Sequence, residues 1–216
     1  MPQQPLIVGN PVLVVVDIQR GGAMPAEDVG IAHMPGHADR VSRAERLVAA
    51  ARAANVPVVF FQEVHRPSGV DIGRELDGTE GMHCVEGHPG TELEPSLRPD
   101  LGGTRPEFHI VKRRYSGFIG TEFDIVLRGL KASTLILIGG LTDVCVHYTF
   151  ADAHQRDYHV RVVTDCVGGS SQYRHDAALD AMEYLQTGAK RTTDEIVTAF
   201  RALEKNHDPV LEGASR

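Results

Sequence analysis

A succession of short, continuous apolar runs, each followed by an amphipathic stretch, constrains the fold of this chain more than any other feature. Residues 11–17 read Pro-Val-Leu-Val-Val-Val-Asp, a buried strand ending in a carboxylate. Comparable runs cover 56–61, where Pro57 stands at the tolerated start of a strand, then 108–112, 134–138 and 158–164, with a last short one near 189–191. Between them, helical spacing recurs. It places Val41, Ala44, Leu47, Val48 and Ala51 on one face of 39–54, closed by Asn55, and Phe123, Val126, Leu127 and Leu130 on one face of 121–130. Helices are also predicted over 143–156 and over 173–186, the latter with Ala177, Ala178, Ala181, Met182 and Leu185 inward. A final helix opens with the capping box Thr192-x-x-Glu195 and carries Ile196, Val197, Phe200 and Leu203, before a tail expected to fray from Asn206 to Arg216. Strands without polar alternation are buried on both faces. The pattern therefore predicts an α/β fold in three layers, a mostly parallel six-stranded sheet with helices on both sides.

The chain has 216 residues, enough for one sizeable domain over 1–216 and short for two. Only residues 64–106, rich in Gly, Pro, His and acids, lack periodicity. A loop of that length is usually functional and is expected to wall a pocket. A formal net charge of −7 argues against a nucleic-acid partner. The apolar runs are too short to span a bilayer, and the N-terminus has neither the basic start nor the apolar core of a signal peptide. Cys84, Cys145 and Cys166 form an odd set without a CxxC pair. That suits a reducing cytoplasm and leaves room for a functional thiol, although a single buried Cys is more often a small hydrophobe.

In a parallel sheet, ligands bind outside the carboxyl ends of the strands. The rule selects Asp17, Lys112 and Cys145, a carboxylate, an ammonium and a thiol at the ends of the first, third and fourth strands. Singly, Asp17 reads equally as a cap and Lys112 as a solvated lysine; their joint placement carries the weight. Thr142 or Asp143 is a natural N-cap, which puts Cys145 in a first helical turn. There the helix dipole, helped by a nearby lysine, is expected to lower the thiol's pKa, and free N–H groups can hold an oxyanion.

Three motifs in this order resemble the isochorismatase-like cysteine hydrolases over nearly the whole chain. They are Val15-Val16-Asp17-Ile18-Gln19, Lys112-x-x-x-Ser116-Gly117-Phe118-x-x-Thr121, and Gly139-Gly140-Leu141-Thr142-Asp143-Val144-Cys145-Val146. The resemblance implies an Asp17-Lys112-Cys145 catalytic triad, a cis peptide between Gly140 and Leu141, and an oxyanion hole from the N–H groups of Leu141 and Cys145. It also implies hydrolysis of a carbon–nitrogen bond in a small amide or ureido metabolite through a thioester, in a homodimer or homotetramer. The alternatives are a binding or scaffold protein that keeps the fold without turnover, and a metal-assisted enzyme of the nicotinamidase type.

Pocket candidates are Gln19, Glu63, His65, Tyr115, Phe118 and Tyr148, each of which packing alone explains equally well. Arg66 and Arg74 are candidates for holding a substrate carboxylate, although Arg74 stands among acids. No cofactor is expected to be required. Nicotinamidases place a metal-binding Asp-x-His after the second strand, where this chain has Glu63-Val64-His65. Glu63, His65, Asp71 and His83 remain candidates for a mixed nitrogen and oxygen site for a divalent metal, or for a polar network.

Overall fold

The computed structural model describes residues 5–103 and 105–206. The tail expected to fray lies, apart from Asn206, outside the described residues. The strands are β1 (Asn10–Val16), β2 (Val58–Glu63), β3 (Glu107–Lys112), β4 (Ala132–Gly140), β5 (His159–Gly168) and β6 (Lys190–Arg191). The helices are α1 (Ala26–Val29), α2 (His37–Ala53), α3 (Phe123–Gly129), α4 (His147–His154), α5 (Gln172–Leu185) and α6 (Thr193–Asn206). The strands form one sheet in the order β3-β2-β1-β4-β5-β6, and every pairing is parallel.

Alternation along β1 splits the core. Val12, Val14 and Val16 face one layer with Phe123, Val146, Phe150 and Met182 from α3, α4, α5 and the turn before α4. Leu13 and Val15 face the other, with Leu47 and Val48 of α2 and Ile196 and Phe200 of α6. The capping box is present, Thr192 N donating to Glu195 Oε2 at 2.7 Å and Glu195 N to Thr192 Oγ1 at 3.4 Å. β5 runs further than its apolar stretch because Val167 and Gly168 pair on with Gly139 and Gly140 after a register shift.

Strand order reverses between β1 and β4, so a crevice opens at their carboxyl ends. Of the loop predicted over 64–106, the part from Glu80 to Thr91 lines it. The loop holds short 3-10 turns at Glu75–Asp77, Pro89–Thr91 and Pro95–Leu97. Gln19 pins it to the sheet, its Nε2 donating to Thr91 O at 2.7 Å and Glu63 O at 3.1 Å.

Candidate active site

The site is assembled by register. Glu63 at the end of β2 pairs with Lys112 at the end of β3, which puts their side chains on one face. Val16 pairs with Gly139, whose φ of 111° and closeness to Val16 O, 2.0 Å from where a Cβ would stand, restrict that position to glycine. Asp17 turns off β1 at φ 48°, a left-handed conformation that aspartate tolerates better than most residues.

These ends converge on the ammonium of Lys112, which is 0 % exposed. Its Nζ lies 2.8 Å from Asp17 Oδ2 in an ion pair, donates to Glu63 Oε2 at 2.8 Å and reaches Cys145 Sγ at 3.3 Å. The thiol in turn donates to Glu63 Oε2 at 3.2 Å. Neither Asp17 oxygen accepts a well-directed hydrogen bond, so its pairing with Lys112 is one of charge.

The two carboxylates are driven apart. Burial raises Asp17 to about 6, against the pull of Lys112 and with the repulsion of Glu63 added. Burial also opposes ionisation of Glu63, but Lys112, His65 and His83 together hold it well below the usual carboxylate range. Lys112, despite its burial, is held well above the ordinary lysine value by Asp17, Cys145 and Glu63. One acid thus stays ionised while the other is poised to exchange a proton.

Cys145 sits in a π-turn, Thr142–Val146, that leads into α4 rather than in the first turn of an α-helix over 143–156. Neither Thr142 nor Asp143 caps it. Leu141 is the N-cap, without a side-chain bond, and its carbonyl accepts from Val144 N and Val146 N at 3.1 Å each. Thr142 Oγ1 instead bonds His175 Nδ1 at 2.9 Å, and Asp143 accepts from Ser170 N at 2.8 Å and Ser170 Oγ at 2.6 Å. The turn is therefore held from α5 and the strand end before it. The Gly140–Leu141 peptide is cis. The expected lowering of the thiol's pKa is corrected too. Burial and the neighbouring Glu63 push Cys145 well above the ordinary thiol value, and Asp17 adds to them, so that Lys112 does not prevail. Cys145 rests as a thiol and needs a base.

A cavity of about 180 Å³ opens beside Cys145 and Asp17. Gln19, Glu63 and Tyr115 line it; His65, Phe118 and Tyr148 do not. His65 is buried behind Glu63, Phe118 packs in the core against Phe123 beneath the Arg156 guanidinium, and Tyr148 is exposed, its ring against that of Tyr115. The cavity instead takes Arg40, Glu80 and His88, which carry no motif around them in sequence. Tyr115 donates its hydroxyl to Glu80 at 3.1 Å. Neither Arg66 nor Arg74 lines it: Arg66 pairs with Asp71 at 3.1 Å and Arg74 with Asp77 at 2.5 Å.

Behind Glu63 lies a second buried cluster, Glu63, His65, Glu75 and His83. Glu75, from the turn Glu75–Asp77, takes the place expected for Asp71, and sequence reasoning missed it because the loop has no periodicity to single it out. Asp71 lies outside the cluster, accepting from Arg66 N at 3.0 Å and standing 3.7 Å from His65 Nδ1. His65 Nε2 is 3.1 Å from Glu63 Oε1 and 3.2 Å from Glu75 Oε2; His83 Nε2 is 3.6 and 3.3 Å from the same two oxygens. Burial opposes protonation of both rings, but Glu63 and Glu75 outweigh it, raising His65 to about 9 and His83 to about 10.

The cluster's composition and spacing fit a divalent cation. Both oxygens of Glu75 are buried without a directed hydrogen bond. His83 Nδ1 faces Gly81 O at 2.8 Å, which puts a proton there and directs Nε2 inward. Tetrahedral bonds of about 2.0–2.1 Å set donors about 3.4 Å apart, close to the separations above. Formal charge agrees: Asp17, Glu63 and Glu75 bring three negative charges against one on Lys112. Either two histidine protons or one divalent cation makes up the difference.

A parallel α/β sheet with a buried aspartate, lysine and cysteine at its strand ends is the architecture of a cysteine hydrolase. Residues 11–195 match the Isochorismatase domain, and the chain belongs to that family. It is similar to a ureidoacrylate amidohydrolase of Methylorubrum extorquens AM1, with 32% identity over 88% of this chain and 81% of the relative. A second, from Methylobacterium radiotolerans, is 31% identical over 79% of this chain and 72% of that one. Among solved structures, a cysteine hydrolase from Pseudomonas syringae pv. phaseolicola superposes with a TM-score of 0.77 at 25% identity, covering 94% of this chain and 99% of that one. An N-carbamoylsarcosine amidase from Thermoplasma acidophilum does so at 0.68 and 28%, covering 86% and 97%. The two curated relatives and the second structure are named as amidohydrolases or amidases. Among the described residues, no helix is long and apolar enough to cross a membrane.

Proposed function

We propose that this chain hydrolyses the carbon–nitrogen bond of a small amide or ureido compound through a thioester on Cys145. What carries the reading is the fully buried Lys112 ammonium, which reaches Asp17, Glu63 and Cys145 at once. In the proposed reaction Asp17 takes the proton of Cys145 as the sulfur attacks the carbonyl carbon. Its raised pKa suits that exchange, whereas Glu63 stays ionised and orients the thiol. The N–H groups of Leu141 and Cys145 hold the oxyanion, each such donor typically worth about 3–4 kcal/mol. Asp17 then passes its proton to the departing nitrogen, the C–N bond breaks, and ammonia or an amine leaves. Water, deprotonated by Asp17, attacks the thioester carbonyl, and the sulfur leaves to take the proton back. Lys112 keeps its charge throughout.

A cavity of about 180 Å³ suits a substrate of a few heavy atoms, such as a ureido acid of ureidoacrylate's size. The buried carboxylate of Glu75, which pairs with His65 and His83 by charge without a directed hydrogen bond, favours a metal-assisted form of the same reading, with Glu63, His65, Glu75 and His83 as ligands. A cation held by these four residues would supply fixed positive charge next to Glu63. We also place the protein in a reducing cytoplasm, as a homodimer or homotetramer. The first is supported by its free cysteines, the second by the family resemblance.

The test is ammonia release from a panel of small amides and ureido compounds. Wild type should release ammonia and form an acyl adduct on Cys145, detected by mass spectrometry after acid quench. A panel without turnover or adduct would defeat the proposal.

A further inference from the structure

We infer that Arg40 is a specificity-determining residue that receives a carboxylate, so the compound held at Cys145 is an amide or ureido acid rather than a neutral amide. This rests on the reading of the site as an amidohydrolase and narrows its substrate class.

Arg40 rises from the first turns of α2 and lines the same cavity as Asp17 and Cys145. Two of its N–H groups are taken by carbonyls of its own loop, Nη1 donating to Pro35 O at 2.7 Å and Nη2 to Met34 O at 3.0 Å. Those bonds aim the guanidinium but leave its charge unmatched. Among the described residues no carboxylate forms an ion pair with it. The negative groups of the cavity do not serve it. Asp17 and Glu63 share Lys112, Glu80 accepts from Tyr115, and Asp28 is exposed to solvent. Arginines 66 and 74 are already neutralised by Asp71 and Asp77. A half-buried guanidinium that lines a cavity without a counter-ion is completed by an anion from outside, and its planar fork suits a carboxylate.

Position supports the same ligand. The guanidinium lies against Gly168, where a Cβ would stand 2.6 Å from both Cζ and Nε, so a larger residue there would push it aside. Gly168 pairs with Gly140, the residue before Leu141 and the turn that carries Cys145. The backbone under Arg40 and the backbone leading to the nucleophile are one strand spacing apart, about 5 Å. A compound with its carbonyl at Cys145 and a carboxylate a few bonds away bridges the two.

The experiment measures binding apart from turnover. In full-length Cys145→Ser protein, calorimetry would compare a set of short ureido acids, N-carbamoyl-β-alanine among them, with their methyl esters. The acids should bind at least about 30-fold more tightly. Adding Arg40→Met should weaken the acids about 100-fold and leave the esters within twofold, while Arg40→Lys, which keeps the charge, should fall between. With Cys145 restored, Arg40→Met should raise KM for the acid at least about 30-fold more than KM for the ester. That control separates charge recognition from damage to the Met34–Pro35 loop. Equal binding of acid and ester by the Arg40 protein, equal weakening of both by Arg40→Met, or no binding of any ureido acid would overturn the assignment. An acid preference that Arg40→Met abolishes, without hydrolysis by the Cys145 enzyme, would uphold Arg40 and defeat the amidohydrolase reading instead.

Discussion

Two buried polar clusters share Glu63, yet they are balanced in opposite ways. In the cluster of Asp17, Lys112 and Cys145 the positive charge is covalent: an ammonium on β3 that burial cannot remove because its partners hold it. In the cluster of His65, Glu75 and His83 the positive charge is exchangeable, either protons on two imidazoles or a bound cation. The difference teaches where each sensitivity lies. The first cluster should fail when a side chain is cut, the second when the medium changes.

Removing the proposed nucleophile is the severest break. Cys145→Ala should lower kcat/KM by about 10⁴ or more, and Asp17→Asn by a comparable factor, while the double variant should be little worse than either. Steady-state kinetics on one accepted substrate decide this. Losses that multiplied cleanly would end the proposed proton transfer between Asp17 and Cys145.

Cutting the covalent charge comes next. Lys112→Met leaves Asp17 and Glu63 buried without their common partner, and breaking a buried pair from one side costs about 3–5 kcal/mol. Urea unfolding should register a loss of that order. Glu75→Gln, on the other side of Glu63, should cost less fold stability. Its effect should be on metal: affinity for zinc or manganese, by calorimetry or metal content after dialysis, should fall by more than the roughly 10- to 100-fold that loss of a partner outside the ligand set costs. Unchanged affinity would leave the histidine cluster as a protonated network.

The smallest effects are those of pH. Asp17, with its folded pKa near 6, must be ionised to accept the thiol proton, so kcat/KM should rise with pH through about 6. The histidines give the contrast. A group raised on folding stabilises fully below its unfolded pKa and ceases to do so as pH climbs through its folded value. In metal-free protein, the contributions of His65 and His83 should be complete below about 6.5 and lost through about 9 and 10. Chemical denaturation at successive pH values should show that alkaline decline, and added divalent cation should reduce it. A decline that metal does not touch would argue against ligation by these rings.

The apolar runs and their helices were legible because burial on both faces leaves a strand no polar alternation. With the strands in order, Asp17, Lys112 and Cys145 followed from their ends. Glu63 was legible as a residue near the pocket, but its contact with the thiol depends on the register of β2 with β3. Phe118 and Tyr148 went astray because an aromatic near a motif has no sequence mark for the face on which it packs. The π-turn escaped because the caps looked sufficient: Thr142 and Asp143 are good N-cap types, and only the approach of α5 and of the segment after β5 turned them to His175 and Ser170.

By itself, then, the sequence determined the parallel sheet, its crevice and the chemical kinds of group at the crevice's edge, since these depend on periodicities and strand ends that local chemistry dictates. Tertiary structure alone decided the state of those groups. The resting thiol at Cys145, the division of labour between Asp17 and Glu63, the choice of Glu75 over Asp71, and the unmatched charge of Arg40 all depend on burial and on partners far apart in the chain. The Coulomb energy between two charges falls with distance and with the water between them, and neither is written in the order of residues.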